Sequence, residues 1–235
     1  MELHPDAYWR DYTGRFERRP YYADASLEAA AAAFLREMLG REPEWPISDD
    51  DLEFIADMAS SYDRGRDMSE LGLDVDAVTI FSSVGPPIIV LSDDLRRPNM
   101  RLRRRMTIAH ELGHVVLHHR MYRGNELQLD LLGTSLKIPA YCQKAMTVAA
   151  VDWIEWQANF FGGALLAPKT EILRIVRETF DSQRTLIDGT VDAQTATQRI
   201  ADLLDISRDA ARVRLAQVGS MKPRRDDMFS ESQNF

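Results

Sequence analysis

Four of the five histidines in this 235-residue chain fall in one stretch, Thr107 to His119, which reads TIAHELGHVVLHH. His110 and His114 are four residues apart, a spacing that stacks two side chains on one face of a helix, one turn apart. Two neutral imidazoles so placed can reach one ion at the roughly 2.0–2.1 Å that zinc accepts from nitrogen. Glu111 is turned about 100° from His110 around the helix. It points beside the ion rather than at it, where a general base for water belongs. A plainer account is a solvated or pH-sensitive histidine face. Ile108, Leu112, Val115 and Val116 form a separate apolar stripe, which leaves the histidines on a face that could line a cleft.

A catalytic zinc needs a third protein ligand and one open position. His118 shares the face of His110, but three ligands along one straight helix cannot converge on one ion. A third histidine supplied from nearby requires a glycine turn, and here Leu117 and Arg120 stand at the glycine and histidine positions of that motif. His118 and His119 therefore read as residues that support the ligands or the helix end. Glu155, in EWQANFFGGALLAP, is the better candidate. Ala158, Gly162 and Gly163 follow it at helical spacing, and Gly113 could match them if two helices approach closely. Glycine costs about 1 kcal/mol inside a helix, a cost that close packing would explain. Spacing alone leaves Glu155 equally readable as an exposed glutamate on an amphipathic helix. Asn159 reads either as a group that orients a ligand or as a structural one.

Composition narrows the context. A net charge of -8 argues against direct nucleic-acid binding and against an anionic membrane surface. No apolar h-region opens the chain and no run reaches the roughly 18 apolar residues of a membrane span. Cys142 is the only cysteine, which fits a reducing cytoplasm and leaves nitrogen and oxygen to hold any metal.

The elements that must position these residues are mostly helical. Helices are expected at 26–40, capped by Ser26 and ended by Gly40, and at 48–60 behind Ser48. Others are expected at 102–119, 150–168 and 169–180, with two short ones in 192–218. AVTIFS and PPIIVLS read as a hairpin, and the second strand could pair with an extended substrate. Residues 63–76 read as a loop with one short helical turn and 120–150 as a long excursion with some helix. Helices with a small antiparallel sheet make the class α+β. The domains expected are an arm at 1–25, a catalytic domain at 26–183, a helix-turn-helix-like subdomain at 184–221 and a disordered tail at 222–235. The helix-turn-helix core would be Ile200, Leu203, Leu204, Ile206, Ala210, Val213 and Val218. Its four aspartates and four arginines cancel over 192–219, which disfavours DNA contact. The cluster Arg96, Arg97, Arg101, Arg103, Arg104 and Arg105 reads as a solvated loop or as a docking patch for acidic substrate.

RRRMTIAHELGHVVLH followed by EWQANFFGGALLAP resembles the ImmA/IrrE family of bacterial and phage metallo-endopeptidases. Met106 and Gly162 depart from the phenylalanine and alanine usual there. The resemblance implies a mainly helical, zincin-like metallopeptidase domain with His110, His114 and Glu155 as Zn2+ ligands and Glu111 as catalytic base. It also implies a zinc endopeptidase of the cytoplasm that cleaves a helix-turn-helix transcriptional repressor, in mobile-element or stress regulation. The alternative is a toxin–antitoxin-like or DNA-binding regulatory protein that keeps the zinc site. For an oxyanion stabiliser, Tyr122 and Tyr141 have only their residue type in their favour. The oligomeric state is not legible.

Overall fold

The computed structural model describes residues 3–11, 16–68, 75–81, 85–123, 138–143 and 153–223. The chain divides into two compact units, residues 1–43 with 47–165 and residues 44–46 with 166–235. Among the described residues, no helix is long and apolar enough to cross a membrane. The α+β class holds, with helices predominating over three small sheets.

The first unit opens with a hairpin rather than an irregular arm. Strand β1 (Ala7–Arg10) pairs antiparallel with β2 (Arg18–Tyr21). Trp9 stacks on Tyr21 with ring centroids 4.2 Å apart, and the Arg19 guanidinium lies over the rings of Trp9 and Trp153. Helix α1 (Asp24–Leu39) starts two residues before Ser26, so Ser26 is not its cap. Asp6 instead accepts from the Ala23 backbone N–H and the Ser26 hydroxyl, so a carboxylate from the hairpin serves the helix start. Gly40 ends α1 in the left-handed conformation at φ 64°. Ser48 caps α2 (Asp49–Ala59) through the Asp51 N–H, as its sequence predicts.

Strand β4 (Val75–Phe81) and β5 (Ile88–Ser92) form the expected antiparallel hairpin. Two partners complete the sheet in the order β3-β5-β4-β6. Strand β3 (Ser61–Arg66) occupies part of the expected loop and runs parallel to β5, and β6 (Ile138–Gln143) runs antiparallel to β4. The sheet is therefore mixed. Strand β5 is also internal, with its backbone taken on both sides, which corrects the reading of IIVLS as the strand that receives substrate. The rest of the expected excursion, residues 124–137 and 144–150, lies outside the described residues, as does the tail beyond Pro223.

Helix α3 (Arg101–Arg123) crosses this sheet and is buried on nearly every side from Arg105 to His118, so it is a central helix, not a surface one. Its arginine-rich entry is neutralised internally. Arg101 and Arg105 both reach Asp49, Arg103 reaches Asp76, and Arg104 reaches Glu53. Arg96 and Arg97 pair with Asp93 and Asp94. Arg105 also donates to the Ile47 carbonyl at 2.7 Å. Arg101, Arg104 and Arg105 fasten α3 to α2 and Arg103 fastens it to β4, while Arg96 and Arg97 pair locally at the surface. Helix α4 (Trp153–Leu166) packs on α3, as described below.

The second unit holds α5 (Lys169–Phe180), α6 (Val191–Leu204) and α7 (Arg208–Gln217), with short parallel strands β7 (Leu186–Ile187) and β8 (Met221–Lys222). Pro168 stands at the start of α5 with extended backbone, which separates α5 from the helix before it. Ser207 caps α7 as expected. Leu203 and Val213, expected in the core, are exposed, and Ala210 is only half-buried. The inward face of α7 is instead Ala211 and Leu215, with Arg214 buried beside them and its Nε donating to the Ala167 carbonyl, while Val218 just past the helix is buried as expected. A buried arginine with its own carbonyl partner fills a position that the apolar pattern assigned one residue too early.

Candidate metal centre

Two helices build the site, and small residues decide how closely they meet. A Cβ added at Gly113 of α3 would lie 2.8 Å from the Ala158 carbonyl oxygen of α4. One added at Gly162 would lie 2.8 Å from the backbone of Ala109 and His110. Neither position has room for any side chain, which is the close approach that the glycine spacing predicts. The contact brings the first turn of α4, where Glu155 stands, against the turn of α3 that carries His110 and His114.

One ligand atom from each of His110, His114 and Glu155 lies within 4.8 Å of the others, so the three form a group able to hold a metal ion. His110 Nε2 and His114 Nε2 are 3.0 Å apart, and Glu155 oxygens lie 3.2 Å and 3.4 Å from them. A tetrahedral ion with donors at about 2.0–2.1 Å spaces them by about 3.3 Å, so the group fits zinc. His110 and His114 are buried and Glu155 is 18% exposed, which leaves the carboxylate side as the open one.

Hydrogen bonds behind the ring explain why these atoms are lone pairs. His110 Nδ1 faces Asn159 Oδ1 at 3.0 Å. An amide oxygen only accepts, so the proton sits on Nδ1 and Nε2 carries the lone pair. Asn159 thus makes the contact that a ligand-orienting role would need. His114 Nδ1 faces His118 Nδ1 at 3.1 Å, and His118 Nε2 faces Gln157 Oε1 at 3.0 Å. Burial, then the neighbouring His114, pushes His118 down to about 3, so it is neutral. Two imidazole nitrogens and a carboxylate converging in this way are compatible with a metal site.

Glu111 is fully buried beside this group and coupled electrostatically to His110, His114 and Glu155. Burial pushes its carboxyl above the ordinary range, opposed by the two imidazoles and by the hydroxyl of Thr79. Thr79 donates to Glu111 Oε2, while Oε1 has no hydrogen-bond partner among the described residues. Thr79 escaped sequence reasoning, because one threonine in a run of β-branched residues carries no mark. On β4, however, Thr79 and Phe81 fall on the same side and both reach α3, Phe81 by stacking on Tyr122 at 4.5 Å. Tyr122, one of the two oxyanion candidates, is buried in that stack and against Phe16. The side chain of the other, Tyr141, lies outside the described residues.

No curated protein matches the chain in sequence. Residues 56–216, which take in both helices of the site, match the peptidase M78 family, described as the IrrE N-terminal-like domain. Helices packed through glycine, two histidines one turn apart and a glutamate brought to them from the next helix agree with that match, and the chain belongs to the peptidase M78 family of IrrE N-terminal-like domains.

Proposed function

We propose that this protein is a zinc endopeptidase in which His110, His114 and Glu155 hold the metal and Glu111 is the base. The observation that carries this reading is the donor triad with a buried carboxylate beside it, one of whose oxygens is left unpartnered. A zinc ion held there supplies Lewis acidity, lowering the pKa of water towards about 7 and polarising a peptide carbonyl. Thr79 fixes Glu111 through Oε2, so the proton of the attacking water goes to Oε1. From Oε1 it passes to the leaving amine. Asn159 holds His110 in the tautomer that presents Nε2.

The substrate is a specific regulatory protein of the cytoplasm, and a helix-turn-helix repressor agrees best with the family. The competing reading, a toxin–antitoxin-like or DNA-binding protein that keeps its zinc, gives Glu111 nothing to do.

Elemental mass spectrometry of the wild type and Glu155→Ala tests the site. About one zinc per wild-type chain is expected for a single closed triad, with clear loss in the variant. No zinc in the wild type, or full retention in the variant, removes the reading.

A further inference from the structure

The hydrogen bonds behind His114 extend further than those behind His110, and each link has only one workable direction. The Pro20 carbonyl of β2 can only accept, and Gln157 turns its amide nitrogen to it at 2.8 Å. That leaves Gln157 Oε1 to face His118 Nε2, and an amide oxygen also only accepts, so Nε2 carries the proton. His118 is fully buried and its ring nitrogens meet only Gln157 and His114 among the described residues, so no carboxylate bonds to it to support a charge and Nδ1 offers a lone pair to His114 Nδ1. His114 bears the proton between them, and its own lone pair is left on Nε2, the atom turned to His110 and Glu155.

We propose that His118 and Gln157 are positioning residues, anchored on the Pro20 carbonyl, that fix the tautomer of His114 so that Nε2 meets the metal. The proposal rests on the reading of His110, His114 and Glu155 as ligands. Neither positioning residue stands among the three ligand groups. All the linking side chains are buried, His118 and His114 fully, so water does not substitute for a missing partner. The anchor lies in the N-terminal hairpin, outside residues 56–216 that match the family. The hairpin is held to α4 twice, through Gln157 and through Arg19 over the Trp153 ring. It is therefore a working part of the metal centre in this chain. Orienting partners of this kind typically contribute about 10–100-fold in metal affinity.

Two measurements test this on the full chain. In the metal-free wild type, two-bond proton–nitrogen NMR correlations should find His118 protonated at Nε2 and His114 at Nδ1. The reverse pair of tautomers overturns the proposal. Zn2+ affinity by chelator competition, with the absorption spectrum of the Co2+-loaded protein, then separates positioning from packing. His118→Phe keeps a ring near Trp153 but offers no acceptor, and should weaken Zn2+ binding about 10–100-fold and alter the Co2+ spectrum. His118→Asn places an amide oxygen near the position of Nδ1 and should restore most of both.

Wild-type affinity in His118→Phe, or equal loss in both variants, overturns the proposal. If His118→Phe fails to fold, the wild-type tautomers still decide it. A wild type that takes up no zinc overturns the triad itself, a result distinct from a zinc-binding protein indifferent to His118.

Discussion

A carboxylate buried beside two imidazoles, with one oxygen tied and the other unpartnered, is costly to keep unless the second oxygen has work to do. Glu111 is that carboxylate, and its proposed use as a base is separable from the proposed metal binding. Glu111→Gln should keep its zinc while losing cleavage, read as new protein N-termini that the wild type generates in a cell lysate and the variant does not. Thr79→Val removes the hydroxyl that holds Glu111 through Oε2. A hydrogen bond to a charged group contributes about 1.5–3 kcal/mol, so turnover of a peptide identified in that lysate should fall about 10–100-fold at unchanged zinc content. Unchanged turnover would show that Glu111 needs no such restraint. At this scale the sequence declares His110, Glu111 and His114 through spacing alone, and Glu155 through resemblance. Thr79, Gln157 and the Pro20 carbonyl are silent there, because a hydrogen bond across 32 or 137 residues leaves no periodic trace.

Between elements, the site depends on how near α4 comes to α3. Gly162→Ala puts a methyl within 2.8 Å of the Ala109 and His110 backbone, which cannot yield as a flexible side chain would. The helices must part by several tenths of an ångström, so zinc affinity should drop together with thermal stability. A variant that binds zinc as the wild type does would mean that the backbones have slack. The clamp at the entry to α3 is a second lever. Burial would raise the Asp49 carboxyl, but hydrogen bonds from Arg101 and Arg105 hold it below the ordinary range. A carboxyl depressed on folding adds stability above its unfolded pKa and loses it as pH falls through the folded value. Asp49→Asn should thus cost on the order of 1–2 kcal/mol near neutral pH, and its deficit in melting temperature should narrow in acid. A gap that stays constant with pH would assign the loss to packing rather than to charge. Helices were legible from caps and period; β3 and the N-terminal hairpin were not. SYDRGR and RRPY lack apolar alternation, and they are strands because β5 and β1 offer them unpaired backbone.

At the scale of the whole molecule, every group at the candidate metal centre, from Pro20 to Asn159, belongs to the first compact unit. The second unit has its own core of Ile200, Leu204, Ile206, Ala211 and Leu215, and none of its residues is in the triad. A ligand stabilises what it binds by RT ln(1 + [L]/Kd), about 2.7 kcal/mol at a hundredfold excess over Kd. That gain should appear where the ligands are. Hydrogen exchange before and after chelation should therefore quicken in α3, in α4 and in β2, and stay unchanged over residues 191–217. The β2 response is the discriminating one, because β2 supplies no ligand and is linked to the triad through Gln157 and His118. Slower exchange throughout on adding zinc would mean that the two units share one folding transition, whereas a response confined to α3 and α4 would cut the hairpin out of the centre.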